Sequence, residues 1–250
     1  MQRFLCILAA LLGAALLAAV SSYAQFAYPI GAKPPPSGGG PWVLKCATYG
    51  HGIGSGSPAT SGPADCTGAN LIVVLWTFGA LPSSLTVSDS TGMNTYSNAV
   101  VSTACCGGNY SAISYVVTTH VSSTMSFTIT GTGNIYTSFE VEGWSGAATS
   151  GTLDQTNSAA SPFGATAQPG SITPGASGEL IVTGISDGVA TVSSIDSSFT
   201  VEDVVNPNPG TYYGSGIAYL IQSSAAAVNP TWTMTGSENY PVAIASFKGG

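Results

Sequence analysis

The sequence predicts an all-β protein, an antiparallel β-sandwich built from two similar halves. Hydrophobic residues make up 44% of the 250-residue chain and charged residues only 6%. A core is therefore expected under a surface of hydroxyls, amides and glycine. Short segments rich in β-branched and aromatic residues alternate with turn residues about every ten positions, and one strand pattern occurs twice. The scarcity of Glu and Lys excludes coiled coils and helical bundles.

The N-terminal segment 1–24 is typical of a secretory signal peptide. Arg3 precedes an apolar run of 17 residues, and Ser22-Tyr23-Ala24 forms a small-x-small cleavage site. We therefore expect a secreted protein, extracellular or periplasmic, that has no membrane segment after cleavage. Because the run is just long enough to span a bilayer, an uncleaved N-terminal anchor is the alternative.

Residues 25–41 are predicted to be a Pro/Gly-rich linker, and residues 42–250 a single β-sandwich domain without helices. The linker contains Pro34-Pro35-Pro36 followed by Gly38-Gly39-Gly40, which combine stiffness with flexibility and cannot join a sheet ladder. Candidate strands lie near 42–49, 70–78, 84–88, 95–101, 111–118, 125–130, 135–143, 178–186, 190–195, 199–205, 215–221, 230–235 and 241–247.

The internal repeat defines halves at about 70–146 and 178–248. Leu71-Ile72-Val73 returns as Leu180-Ile181-Val182, an offset of 109 residues, and Phe127-Thr128-Ile129-Thr130-Gly131 returns as Trp232-Thr233-Met234-Thr235-Gly236, an offset of 105. Matched alternation at a near-constant offset predicts that one strand order is used twice; chance similarity within a low-diversity sequence is the alternative. The crossing between the halves is expected to add one or two edge strands, for instance near Leu153. Because a half this small buries little surface alone, one sandwich is favoured over two independent domains.

Four cysteines remain after signal cleavage, and three pairings are open to them. We predict a Cys46–Cys66 disulfide, because closing a loop of that size stabilises a fold by roughly 3 kcal/mol. Cys105 and Cys106 could bridge each other, bridge elsewhere or stay reduced. No C-x-x-C spacing occurs, so we expect no metal site and no cofactor.

The charge balance restricts the partners. The formal net charge is −7, and the basic residues are Arg3, Lys33, Lys45 and Lys248. We therefore expect neither nucleic acid nor an anionic membrane surface as a partner, since both are recognised by clusters of cations. A neutral glycan or another cell or virion surface fits better, and self-assembly through such a surface is an alternative.

Two acidic residues are the candidates for catalysis. Glu140 and Glu142 lie at i and i+2 of one predicted strand, so they share a face at about 6.6–6.8 Å, a spacing compatible with a glycosidase carboxylate pair. The alternative is that both lie on the solvent-exposed face of a half-buried sheet. Four other carboxylates are predicted to close Asx turns: Asp89, Asp187, Asp196 and Asp203.

Two loops rich in aromatic and amide side chains are the candidates for binding. The first includes Asn109 and Tyr110, and the second includes Asn206, Asn208, Tyr212 and Tyr213 at the corresponding place in the repeat. Tyrosine rings stack on sugars through their apolar faces while amides supply hydrogen bonds, and no net charge is needed. The alternative is that these residues turn the chain and cover the end of the sandwich.

The segment Asp89-Ser90-Thr91-Gly92-Met93-Asn94-Thr95-Tyr96 resembles the D-S-x-G-N-x-Y hairpin of a loose, functionally uncharacterised group of secreted bacterial and phage β-sandwich domains. Glu142, Trp144, Ser145 and Gly146, and the final Phe247-Lys248, are similar to later motifs of that group, although Met93 interrupts the Gly-Asn step. The resemblance covers about residues 42–248 and implies a jelly-roll or lectin-like sandwich.

These observations predict a secreted, non-enzymatic β-sandwich that binds a glycan or other surface, or that serves in adhesion or extracellular structure. The alternative is a glycoside hydrolase acting through Glu140 and Glu142.

Overall fold

A computed structural model describes residues 42–52, 58–79, 85–102, 109–131, 136–208 and 212–250 of the protein. Within these ranges the chain forms antiparallel strands and turns without any helix, which confirms the predicted all-β antiparallel sandwich. Accordingly, no helix that could cross a membrane occurs in this part of the chain. The predicted signal peptide and linker, and Cys105 and Cys106, lie outside the described residues.

The described chain contains sixteen strands. In chain order they are β1 Val43–His51, β2 Ala59–Ser61, β3 Leu71–Gly79, β4 Leu85–Asp89, β5 Ser97–Val101, β6 Asn109–Val117, β7 Phe127–Gly131, β8 Ser138–Ser145, β9 Leu153–Ala160, β10 Gly164–Ala167, β11 Glu179–Asp187, β12 Val192–Ile195, β13 Thr200–Val205, β14 Gly214–Gln222, β15 Trp232–Glu238 and β16 Pro241–Phe247.

Strands β1 to β8 and β9 to β16 follow the same order in space. The first half forms one sheet, β4-β7-β2-β1-β8-β3-β6-β5, and the second half forms β12-β15-β10 and β9-β16-β11-β14-β13. When eight is added to each strand number of the first half, the resulting strand order is that of the second half. The one difference in this order is that β1 pairs with β2, whereas β9 and β10 belong to separate sheets. Each half thus contains eight antiparallel strands, the number found in a jelly roll.

The apolar residues that the structure describes form three cores. One lies inside the first half and includes Trp76 and Phe139, and another lies inside the second half and includes Trp232 and Ile244. The third core contains residues of both halves and lies where β1-β8-β3-β6-β5 packs face to face on β9-β16-β11-β14-β13. The described halves belong to one compact unit.

The central strands β3 and β11 are buried at every position because each lies between two cores. This explains why β3 is a nearly continuous apolar run, whereas strands of the outer layers, such as β7, alternate between buried and partly exposed positions. The predicted edge strand near Leu153 is present as β9. The short strands β2 and β10 were not predicted, since Ala-Thr-Ser and Gly-Ala-Thr-Ala carry no apolar alternation.

The two halves are related by an approximate two-fold axis. Strand β1 contacts β13 and β5 contacts β9, which is the same contact under the repeat, and β3 contacts its own counterpart β11. Leu75 and Gly184 hold equivalent positions and lie against each other, since a Cβ on Gly184 would be 2.1 Å from Leu75 Cδ1. A residue that touches its own equivalent lies near such an axis.

Candidate functional site

Five aromatic side chains from both halves gather at one end of the molecule, which we call the aromatic end. They are Tyr49 and His51 of β1, Tyr136 before β8, and Tyr212 and Tyr213 before β14. The His51 and Tyr212 rings stack at 4.1 Å between centroids with 16° between their planes. Tyr136 meets Tyr213 edge-on at 6.4 Å. Rings of the first half are therefore paired with rings of the second.

The aromatic end is partly exposed. Tyr49 has 42% of its surface accessible, and the other four side chains are half-buried. Burial, and then the neighbouring phenol of Tyr49, raises the pKa of Tyr212. Burial lowers the pKa of His51, whose Nδ1 atom has no hydrogen-bond partner. The imidazole is thus uncharged near neutral pH, and the aromatic end presents ring faces without a cation.

Backbone contacts hold the two tyrosines of the second half in place. Asn208 and Tyr212 exchange two backbone hydrogen bonds, each 3.1 Å long. The ring of Tyr213 lies directly on the backbone of Gly79, where a Cβ would be 2.1 Å from a ring carbon. A preordered ring loses little conformational entropy when a ligand stacks on it.

The predicted amide residues divide into two groups. Asn206 and Asn208 are exposed beside the aromatic end. Asn109 is buried, with an unpaired Oδ1, and its Nδ2 would lie 3.8 Å from a Cβ placed on Gly188. Asn109 thus lies at the same end but is not presented to solvent.

Tyr110 faces the opposite side of β6 from Asn109. Its ring stacks on Phe78 at 4.8 Å with 5° between the planes, and Phe78 in turn stacks on Trp76. Tyr110 therefore belongs to the core of the first half and lies apart from the aromatic rings described above.

Glu140 and Glu142 lie neither on a solvent-exposed face nor in an open cleft. Both are 0% exposed, on the face of β8 that packs against the second half. Burial, then the charge of Asp203, raises the pKa of Glu140 well above its usual range, although hydrogen bonding from the Ser215 hydroxyl and the Val205 backbone N–H acts in the opposite direction. Burial, then Glu202, raises the pKa of Glu142 to about 8, although Trp144 Nε1 donates to its Oε2 at 2.9 Å.

Strand β13 supplies two carboxyls that face this pair. Burial, then the charge of Asp203, raises the pKa of Glu202 to about 7. Burial also raises the pKa of Asp203, which accepts a 2.8 Å hydrogen bond from the backbone N–H of Val204. We call the four carboxyls together the acidic seam: Glu140, Glu142, Glu202 and Asp203. The prediction that Asp203 closes a turn was wrong, because it lies within β13.

Asp187 lies between the acidic seam and the aromatic end. It is the last residue of β11, 1% exposed, and both carboxyl oxygens are unpaired, so the prediction of an Asx turn was wrong here too. Burial, then the charge of Glu238, raises its pKa well above the usual range. Glu238 instead accepts hydrogen bonds of 2.8–3.1 Å from three consecutive backbone N–H groups, Gly188 to Ala190.

Asp89 organises the hairpin that carries the sequence resemblance. It accepts hydrogen bonds from the backbone N–H of Thr91 at 2.9 Å, from Asn94 Nδ2 at 2.8 Å and from the Tyr96 hydroxyl at 2.8 Å. Asn94 also donates to the backbone carbonyl of His120 at 2.9 Å. These contacts give the motif a structural role, and the predicted turn at Asp89 is confirmed.

The predicted Cys46–Cys66 disulfide is present. No cluster of three or more His, Cys, Asp or Glu side chains arranged to hold a metal ion occurs among the described residues.

A groove of about 550 Å³ lies at the far end of β6 and is lined by Met93, Asn94, Val117, Thr118 and His120 among others. It has no stacked rings, so the aromatic end is the stronger candidate for recognition.

Sequence reasoning found Tyr212 and Tyr213 but missed Tyr49, His51 and Tyr136. The spacing of Tyr49 and His51, two residues apart at the end of a strand, was the available signal. Alignment of the halves places Glu202 and Asp203 opposite Ala99 and Val100, but the burial of these carboxyls depends on how the halves stack, which no local pattern shows. Comparisons of the chain with protein-family models, with curated proteins and with solved structures find no match.

Proposed function

We propose that the protein is a secreted, non-enzymatic β-sandwich that binds a neutral glycan through the aromatic end. The observation that supports this proposal most strongly is the stacking of His51 on Tyr212, whose ring centroids are 4.1 Å apart, with the partly exposed Tyr49 beside them. Sugars present C–H faces that pack on aromatic rings, and hydroxyls that exposed amides such as Asn206 and Asn208 can bond.

The charge of the molecule supports a neutral ligand. The chain carries only four basic residues, and His51 at the aromatic end is uncharged near neutral pH. A phosphate or sulfate group would find no cation beside these rings among the described residues, since Lys45 is exposed elsewhere on β1 and Lys248 pairs with Asp154 at 2.7 Å. Stacking and hydrogen bonding therefore have to supply the affinity.

Secretion is supported by the N-terminal sequence pattern and by the disulfide, since disulfides persist mainly in oxidising compartments. Burial argues against hydrolysis by Glu140 and Glu142. A polysaccharide could touch these fully buried carboxyls only if the two halves separated. The geometry thus favours a binding surface over a catalytic cleft.

Glycan-array screening followed by calorimetry tests the proposal. The processed protein should bind at least one neutral glycan, and Tyr212→Ala should weaken that binding about tenfold, equivalent to about 1.4 kcal/mol for a lost stacking contact. Tyr49→Ala should have a similar effect. Phe163→Ala is the matched control, because Phe163 is an aromatic residue 73% exposed in the turn between β9 and β10.

Three results would contradict the proposal. The first is no glycan binding by folded protein, and the second is equal binding by wild type, Tyr212→Ala and Phe163→Ala. The third is release of reducing sugar that Glu140→Gln abolishes, which would favour the hydrolase. Sedimentation at several concentrations separates glycan binding from self-assembly: a complex whose formation needs Tyr212 but no glycan identifies a self-assembly surface.

A further inference from the structure

The contact between the halves has two edges that are equivalent in position and opposite in chemistry. The acidic seam lies along β8 and β13, and its counterpart lies along β16 and β5. We call this counterpart the apolar seam, which is made by Ala243, Ala245, Ala99 and Val100.

Strand pairing establishes the equivalence residue by residue. Leu75 pairs with Glu140, and its counterpart Gly184 pairs with Ala243. Two residues along, Val73 pairs with Glu142 and Val182 pairs with Ala245. The two glutamates of β8 thus occupy places that alanine side chains fill on the other edge.

The edge strands β5 and β13 show the same residue-by-residue equivalence. Ile113 pairs with Val100, and its counterpart Ile217 pairs with Asp203. Both strands carry a register shift just before this residue, which leaves Ala99 and Glu202 as equivalent extra residues.

No described cation neutralises the acidic seam. Lys45 is exposed, and Lys248 pairs with Asp154. The titratable groups that face the seam from neighbouring strands are Tyr49 and His51 of β1, Tyr219 of β14, and Asp187 of β11. Strand β3 contributes only uncharged residues. Burial lowers the pKa of His51, so that ring gives no positive charge at neutral pH.

The buried carboxyl oxygens favour protons over a metal ion. Oε1 of Glu142 is fully buried without a hydrogen-bond partner, and the neighbours of the fully buried Glu140 carboxyl are carboxyls and the neutral donors of Ser215 and Val205. A buried ionised carboxylate without a partner is strongly disfavoured, whereas a protonated one is tolerated. The described residues contain no cluster suited to a metal.

We infer that the acidic seam is a proton-dependent latch between the two halves, closed when its carboxyls are protonated and loosened when they ionise. Ionisation places up to four negative charges against one another in a contact of low polarity. Strand β13 is the part that moves when the carboxyls ionise, because it is an edge strand paired only with β14. The pKa values of about 7 for Glu202 and about 8 for Glu142 place the loosening between neutral and mildly alkaline pH.

The latch also regulates the aromatic end, a consequence that rests on the proposed function. Strand β13 leads through Asn206 and Asn208 to Tyr212, which stacks on His51 of β1. When β13 moves away from β8 and β1, this stack is lost. A bound glycan is therefore held at acidic pH and released at alkaline pH.

Hydrogen exchange of the processed protein at pH 5 and pH 9, without glycan and with rates normalised to unstructured peptides, tests the latch. Protection of β13 should fall at least about tenfold at pH 9, the change that one unit of pKa difference produces, while β5 and β16 keep theirs. The seam variant Glu140→Gln/Glu142→Gln should show a smaller pH effect. Asp65→Asn is the matched control, because Asp65 is exposed and away from the seam.

Equal protection of β13 at both pH values, or an equal loss in the apolar seam, would overturn the latch. Full restoration of protection at pH 9 by calcium chloride would also overturn it, because the seam would then be a cation site. Should the Gln variant fail to fold, the wild-type comparison of β13 with β5 decides alone. The exchange experiment uses no glycan, so its failure is distinguishable from failure of the proposed function.

Discussion

The two halves of the molecule share one strand order but are held together differently. In the first half β1 pairs with both β8 and β2, and the Cys46–Cys66 disulfide joins β1 to the segment after β2. In the second half β9 and β10 belong to separate sheets, and residues 107–250 contain no cysteine. The strand order therefore depends on alternation and turns, which both halves possess, while covalent and hydrogen-bonded reinforcement is an addition to one of them.

The two-fold axis is where the difference between the halves has the largest expected effect. Gly184→Leu copies Leu75 into its equivalent position, where the new side chain would collide with Leu75 itself. We expect a loss of at least about 3 kcal/mol in the free energy of unfolding. The swap Leu75→Gly/Gly184→Leu keeps the total volume and should recover stability to within about 1.5 kcal/mol of wild type.

Urea denaturation measures both variants. Gly62→Leu is the control, because a Cβ at Gly62 would meet nothing within 4 Å, and it should change stability by less than about 0.5 kcal/mol. A Gly184→Leu protein as stable as wild type would show that the halves do not meet at these residues.

The disulfide should come next in size. Cys46→Ala/Cys66→Ala removes a link between residues 20 apart in sequence, which costs about 3 kcal/mol in the chain-entropy description. Hydrogen exchange should report the loss mainly in β1 and β2, with β9 and β10 nearly unchanged. Equal loss of protection in both halves would contradict the view that this reinforcement is local.

The smallest expected effects concern two equivalent turns. Asp89 accepts hydrogen bonds from Thr91, Asn94 and Tyr96, whereas Asp196, which follows β12 as Asp89 ends β4, accepts from the Thr231 backbone at 2.6 Å and from Ser197 at 2.9 Å. Asp89→Ala should therefore lower stability by about 2 kcal/mol and Asp196→Ala by about 1 kcal/mol in thermal unfolding. Asp89→Asn keeps one acceptor oxygen, so its loss of stability should lie between the losses caused by Asp89→Ala and Asp196→Ala. The reverse order would refute the comparison.

Much of the fold followed from the sequence because strand period and turn residues are local signals. Leu71 and Leu180 repeat with their neighbours, so the doubled strand order was visible, and the burial of β3 follows from its apolar run. The stacking of the halves was not visible, since it depends on which strand faces point at each other. For that reason Glu140 and Glu142 were expected in solvent or in a cleft and are found inside the contact.

The aromatic end shows the same limit of prediction from sequence. Tyr212 and Tyr213 stood out in a loop rich in turn residues, but their partners His51 and Tyr136 come from the other half, more than 70 residues away in sequence. Nothing local marks such a pair. Only the approximate two-fold arrangement brings the rings together.

The dependence of stability on pH tests most directly the claim that protonated carboxyls join the two halves. The folded-state pKa values of Glu142, about 8, and Glu202, about 7, exceed the ordinary value of 4.5 expected in the unfolded chain. The folded protein therefore holds protons that the unfolded chain releases, so the stabilisation is complete below about pH 4.5 and is lost as pH rises toward 8. Urea unfolding of wild type from pH 5 to pH 8.5 should show a fall of a few kcal/mol, and Glu140→Gln/Glu142→Gln should show a smaller one. A wild-type stability that stays constant or rises over this range would contradict the account.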